Sequence, residues 1–354
     1  MSLETQQPPK NEYLLGFAST QQHRDQREAL LPVDPGRGTL PFGVVLVDAS
    51  ADVSSSMTGD PRLRVLPLAV RWPGRSLMEK GSRSRLRHLS REALRGARVA
   101  PPAVESLAFR LYPPLVINAD WLIHVGTRRE LIDVAHPLQQ LLDTHADEIR
   151  DMRRQRGLDE KLNLALAESG SLLAGTALQA RLLLHMLHAG VPAAEVARRA
   201  HGLREHTRLW LLPQHPGDTL EALQRLGQPA LSPWEQACAR PLRHLLRRAP
   251  VLQADAGAMF CDRRAKNWRQ AVVSVFEEVG ALLRGQPAPG AWLQISLDGS
   301  LRDLQAWPEF DALRQQAVAS RTPLHVTHMS PAGRIWASAG SLSVALYLPP
   351  TDAA

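Results

Sequence analysis

Two cysteines in 354 residues, Cys238 and Cys261, are too few and too isolated for a disulfide framework, a metal knuckle or a redox motif. They read as free thiols in a reducing compartment. Aromatic residues make up only 5% of the chain, so Leu, Ala and Val must fill its core. No Walker-type phosphate loop and no dinucleotide fingerprint occurs. A G-x-S-x-G nucleophile elbow is missing as well, so independent catalysis has no anchor in the sequence. No apolar run reaches the roughly 20 residues of a membrane span. The most apolar stretch, Ser171 to Gly190, carries Gln179, Arg181, His185 and His188 and reads as a helix of a soluble domain. The amino terminus lacks the basic start and long apolar core of a signal peptide, and the expected location is cytoplasmic.

What is present is ordinary for a globular protein: 44% hydrophobic and 22% charged residues, with length enough for two domains. The net charge of +7 comes from arginine spread along the chain. Its densest block holds Arg83, Arg87, Arg91 and Arg95, which share one helical face. Blocks of like charge usually face water; the alternative is a docking stripe for an acidic partner. Nucleic acid is not an expected ligand, because no nucleic-acid-binding fold or aromatic platform accompanies the stripe. Histidine pairs at His185/His188, His201/His206 and His325/His328 lack a third ligand, so no metal site is expected.

In chain order, residues 1–41 read as a loosely ordered or surface-docked extension. Val44 to Val47 forms a first strand and Arg62 to Val70 a second, with Trp72-Pro73-Gly74 as a turn. Pro101-Pro102 opens a helix, Asp120 to Thr127 is a third strand, and a long helix covers Arg129 to Arg154. A strand over Asn163 to Ala167 precedes two helices separated by Gly190-Val191-Pro192. Further strands are expected at Thr207 to Leu212, in a hairpin around Asp255-Ala256-Gly257, and at Trp292 to Leu297, Pro323 to Thr327 and Leu342 to Leu348. Helices fall at Thr219 to Leu226, Pro233 to Arg248, Asn267 to Arg284 and up to Ser320.

Gly43 to Val53, GVVLVDASADV, is the stretch around which the chain is organised. It reads as a buried parallel strand leaving into a polar loop, the place where open α/β sheets bind ligands. Asp48 and Asp52 read as loop-holding acids. Ser50, Thr127 and the Ser338 to Ser343 region offer hydroxyls beside strand ends, suited to a carboxylate or phosphate, or else satisfying their own turns.

In order and spacing these segments resemble the DegV family. VVLVDASADV is similar to the family's first strand and loop, Val65-Leu66-Pro67-Leu68 to its second strand, ALAESGSLLAGTALQARLLLHMLHAG to its serine-marked strand end and alanine-rich helix, and SPAGRIWASAGSLSVALY to its closing loop and strand. The resemblance covers about Gly43 to Leu348. It implies a two-domain α/β fold, with an N-terminal three-layer α/β/α domain on a mainly parallel sheet (42–172) and a C-terminal domain on a mixed sheet (173–350). It also implies a non-catalytic protein that holds a fatty acid or similar apolar carboxylate in the inter-domain cleft, for presentation to a partner kinase, without a cofactor.

The family's head-group donors are mostly replaced. Its threonine-serine pair falls on Val99-Ala100, its serine pair on Gly126-Thr127, its glycine-arginine on Gly227-Gln228, its closing histidine on Trp336 and its glycine-proline-glycine on Ser338-Ala339-Gly340. The expected ligand-binding set is therefore Ser50, Thr127, Arg128, Arg334, Trp336 and Ser338, the two arginines standing beside the loops as substitute donors. The alternative is an interaction or regulatory protein on a scaffold that no longer binds fatty acid.

Overall fold

Six residues buried on both sides, Gly43–Asp48, form strand β1, from which the first sheet is built. The computed structural model describes residues 42–79, 94, 96–111, 118–225, 248–255, 258–285 and 290–350. The expected 1–41 extension, the stripe of Arg83, Arg87, Arg91 and Arg95, Cys238, Gly227-Gln228 and nearly all of the helix expected over Pro233 to Arg248 lie outside them.

β1 pairs in parallel with β2 (Leu63–Leu66) and with β6 (Trp121–Gly126), and β6 pairs in parallel with β7 (Asn163–Glu168), giving the order β2-β1-β6-β7. The expected strand over Arg62 to Val70 is in fact two. Pro67 has no backbone N–H to continue a ladder, and Leu68–Trp72 (β3) departs into a separate antiparallel sheet. There it lies between β4 (Arg75–Glu79) and β5 (Arg98–Ala100). Neither β4 nor β5 was expected, being short and charged.

Helix α1 (Ser55–Thr58) follows the β1 loop, and α2 (Val104–Leu111) follows β5. The long helix expected over Arg129 to Arg154 is also divided. Residues 128–134 form turns, α3 runs Ala135–Thr144 with Pro137 in its first turn, and α4 runs Ala146–Arg154. Arg153 of α4, fully buried, donates to Asp120 Oδ1 at 2.9 Å while Asp120 Oδ2 accepts from the Phe42 amide at 2.7 Å. One ion pair thereby ties α4 to the starts of β1 and β6.

Helix α5 (Ala174–His188) packs against β1 and β6 on one side. Its other side meets a six-stranded mixed sheet made of β8 (Thr207–Leu212), β9 (Ala249–Asp255), β10 (Ala258–Ala265), β11 (Trp292–Leu297), β12 (Leu324–His328) and β13 (Leu342–Tyr347). The order is β10-β9-β8-β13-β11-β12, and only β11 and β12 run parallel. Eleven of the fifteen α5 residues are buried, which is why its sequence shows no clean amphipathic stripe. Helix α6 (Ala193–Ala200) and the 3₁₀ turn Leu203–His206 lead from α5 to β8.

On the outer face of the mixed sheet a second core gathers Trp210, Val251 and Val344 against α8 (Trp268–Gly285) and α10 (Pro308–Ala319). The helix expected to end near Ser320 is two, since α9 (Leu301–Gln305) stops before Pro308 opens α10. Helix α7 (Pro216–Arg225) follows β8. The region expected as a closing loop contains α11 (Pro331–Ala337), because Ser330 Oγ accepts from the Gly333 amide at 3.0 Å and Pro331 occupies the first turn. No described helix is long and apolar enough to cross a membrane.

With α5 enclosed on both sides, Leu183→Ala, at a fully buried site, is expected to lower unfolding free energy by about 3 kcal/mol. Val318→Ala on α10, 71% exposed, is expected to change it by less than about 0.5 kcal/mol. Denaturant midpoints of the two variants check this.

Candidate functional site

The loop leaving β1 crosses from the parallel sheet to the mixed sheet. At its start the Asp48 carboxylate, fully buried, accepts from the Ser50 amide at 3.0 Å and the Thr127 amide at 2.8 Å, and from both their hydroxyls. The Ser50 and Thr127 hydroxyls lie 2.7 Å apart. Two hydroxyls carry two protons, and this network uses both. What they retain are lone pairs, so a ligand here meets acceptors.

Four residues on, Asp52 is 1% exposed. Its Oδ1 accepts from the Ser330 amide at 2.6 Å and its Oδ2 from the Ser296 hydroxyl, while its own carbonyl accepts from Gln294 Nε2 at 2.9 Å. Ser330 Oγ donates in turn to the Ser50 carbonyl at 2.8 Å. The Asp52 amide donates to the Leu173 carbonyl at 3.2 Å, and Leu173 holds a positive φ of 52° immediately before α5. A buried leucine in that conformation is strained, a feature that recurs at functional sites.

The other candidates divide between two places. Thr127 leads directly into Arg128, whose amide donates to the Ser171 carbonyl at 3.0 Å and whose Nε lies 3.4 Å from Glu130. Arg334, Trp336 and Ser338 belong to α11 and the turn after it. Arg334 Nε lies 2.9 Å from Asp298 Oδ1, and Asp298 Oδ2 also accepts from the Gly340 amide at 2.9 Å. Trp336 is 2% exposed and part of the core between the sheets, on a helix that contacts β5, where Val99 is also buried. Ser338, at φ 72°, turns its hydroxyl inward to Ser341 Oγ at 3.2 Å and to the His215 amide at 3.4 Å. The two arginines thus face different carboxylates.

Ser296, Ser330, Gln294 and Arg181 were not singled out as site residues from sequence. The first and third had a visible signal, since WLQISL places Gln294 and Ser296 two apart and so on one face of an otherwise apolar strand. Ser330 was legible as a helix cap before Pro331.

Beneath Asp48 lies His124 of β6, in register with Leu46 and 2% exposed, with its Nε2 lacking a partner. Burial pushes its pKa from 6.5 down to about 4, against the opposing pull of the Asp48 and Asp133 charges. The unfolded chain takes up this proton near pH 6.5 and the folded one only near pH 4. Stability is therefore complete above pH 6.5 and falls as pH drops toward 4, by roughly 3 kcal/mol in all. His124→Leu is expected to flatten that portion of the stability–pH curve, measured by denaturant titration between pH 4 and 7. Removal of the inter-sheet acceptor by Asp52→Asn is expected to cost about 2–3 kcal/mol. Its coupling with Ser296→Ala in a double-mutant cycle is expected to exceed about 0.5 kcal/mol.

No family model and no curated protein matches the sequence. Solved structures do match the fold. A DegV family protein from Ruminococcus gnavus with vaccenic acid aligns at 16% identity and a TM-score of 0.63, over 85% of this chain and 98% of that one. A fatty-acid-binding DegV family protein from Thermus thermophilus aligns at 17% identity and a TM-score of 0.62, over 87% and 100%. The Streptococcus pneumoniae fatty acid kinase B3 protein loaded with linoleic acid aligns at 13% identity and a TM-score of 0.65, over 87% and 100%. The parallel sheet, the mixed sheet and the helices around them make this chain a two-domain α/β protein with the DegV fold, at sequence identities far below those of close relatives.

Proposed function

We propose that this protein holds a fatty acid or a similar apolar carboxylate between its two α/β halves and performs no bond chemistry on it. The observation that carries the reading is the junction itself. Helix α5 lies between the two sheets, and the loop from Asp48 to Ser54 lines the seam with hydroxyls and buried acids. Solved proteins of this fold are described as fatty-acid-binding, with vaccenic and linoleic acids among the bound molecules. A long acyl chain needs an apolar enclosure and its head needs fixed polar partners. On this reading the ligand is handed to a separate protein of the fatty-acid-kinase type, the role suggested by the name of the pneumococcal protein.

A second reading is favoured by one observation. The helix carrying Trp336 contacts β5, and Trp336 and Val99 lie buried in the same apolar core, so two positions that the resemblance implies are head-group donors are apolar here. A protein using this scaffold for interaction or regulation would need no carboxylate site there.

Native mass spectrometry and lipid extraction of the purified protein separate the two. The expected result is a stoichiometric C14–C20 acid retained through purification, or taken up on addition of oleate. A protein that carries none and takes up none supports the second reading.

A further inference from the structure

A buried carboxylate needs donors, and the hydroxyls of Ser50 and Thr127 have already given their protons to Asp48. Arg128 and Arg334 stand against Glu130 and Asp298, and the buried Arg153 is paired with Asp120. Arg181 differs. It projects from α5, most of whose residues are buried, and is only partly exposed. Its Nη2 donates to Ser54 Oγ at 2.9 Å, on the loop that follows β1. Its Nε is buried without a partner, and no carboxylate pairs with it among the described residues. Desolvation lowers its pKa, the mark of a cation held away from water without compensation.

His325 of β12 lies near enough to feel that charge. Burial first, and the Arg181 guanidinium second, push its pKa down to about 4, which keeps the ring neutral at physiological pH. Its Nε2 is likewise buried without a partner. By register His325 faces the same way as Gln294, the side of the mixed sheet turned toward Asp52. The ring stacks on Trp292, with centroids 5.6 Å apart at 23°, and Trp292 meets His185 of α5 at 5.0 Å. An uncompensated guanidinium, a neutral imidazole with a free ring nitrogen and an indole face thus gather where α5, the β1 loop and β12 meet.

We propose that Arg181, fixed by Ser54 and assisted by His325, receives the carboxylate of the bound acid, in place of the donors missing around Val99, Ala100 and Trp336. This rests on the ligand class proposed above. Among the described residues the guanidinium's one hydrogen bond is from Nη2 to Ser54, which leaves Nη1 for the ligand. Ser54 fixes the plane of the fork, which limits the entropy lost when an oxyanion docks. The Trp292 indole gives the first methylenes an apolar wall.

The test measures binding of oleate, methyl oleate and inorganic phosphate to the wild-type protein, Arg181→Met and Arg181→Lys by calorimetry, with thermal melts as the folding control. Arg181→Met removes an uncompensated charge and is expected to melt no lower than wild type. Loss of a charge-assisted contact corresponds to a weakening of oleate binding by about 10-fold to 100-fold. Methyl oleate binding is expected to be unchanged in that variant, and Arg181→Lys is expected to restore part of the oleate affinity. Oleate bound equally by wild type and Arg181→Met overturns the assignment while leaving the ligand class standing. Equal losses for acid and ester overturn it as well, since the effect would then be on packing. Wild-type protein that binds neither lipid removes the ligand class and the assignment together. Arg181-dependent binding of phosphate without oleate would mark a free-anion site and overturn the carboxylate assignment.

Discussion

Asp52 leaves the parallel sheet and has its charge met by the opposite half of the molecule. The Ser296 hydroxyl, the Ser330 amide and, through the backbone, the Gln294 side chain all converge on this one residue. A carboxylate with 1% exposure could not be sustained without such donors, and they in turn fix the start of α11 and the middle of β11. That contact fastens the loop of the first half to β11 and to the start of α11, the helix of Arg334 and Trp336. Asp48 plays the corresponding part within the first half, tying the exit of β1 to the exit of β6.

Much of this frame was legible in the sequence because it rests on local pattern. Buried parallel strands write themselves as apolar runs ending in polar loops, and β1, β6 and β7 lie where such runs predict, as does the antiparallel β8. Three of the misreadings share a cause, which is proline acting against the apparent pattern. Pro67 divides what looks like one strand into members of two sheets, Pro308 separates α9 from α10, and Pro331 with Ser330 starts a helix inside an expected loop. The small antiparallel sheet was hidden because β4 and β5 are short and carry charge on their exposed faces.

The candidate site was legible in location and much less in role. Ser50 and Thr127 do stand at the strand exits, yet a sequence cannot say that their hydroxyl protons are turned back onto Asp48. Ser338 looks like an available hydroxyl, but its positive φ folds it into the turn that receives the His215 amide. Arg181 shows the opposite case. In the sequence it is one polar residue breaking an apolar helix, evidence against a membrane span. Its position between two halves, with no paired carboxylate among the described residues, distinguishes it from Arg128, Arg153 and Arg334.

The order β10-β9-β8-β13-β11-β12 places the strand latest in sequence at the middle of its sheet. Until Leu342–Tyr347 has been synthesised, β8 and β11 have no edge to pair with each other, and the sheet exists as two fragments. Helix α5, made some 150 residues earlier, meanwhile lacks β13, one of the strands it packs against. Complete burial of that helix therefore waits on the most distant strand pairing in the described chain. Pairing this non-local slows folding.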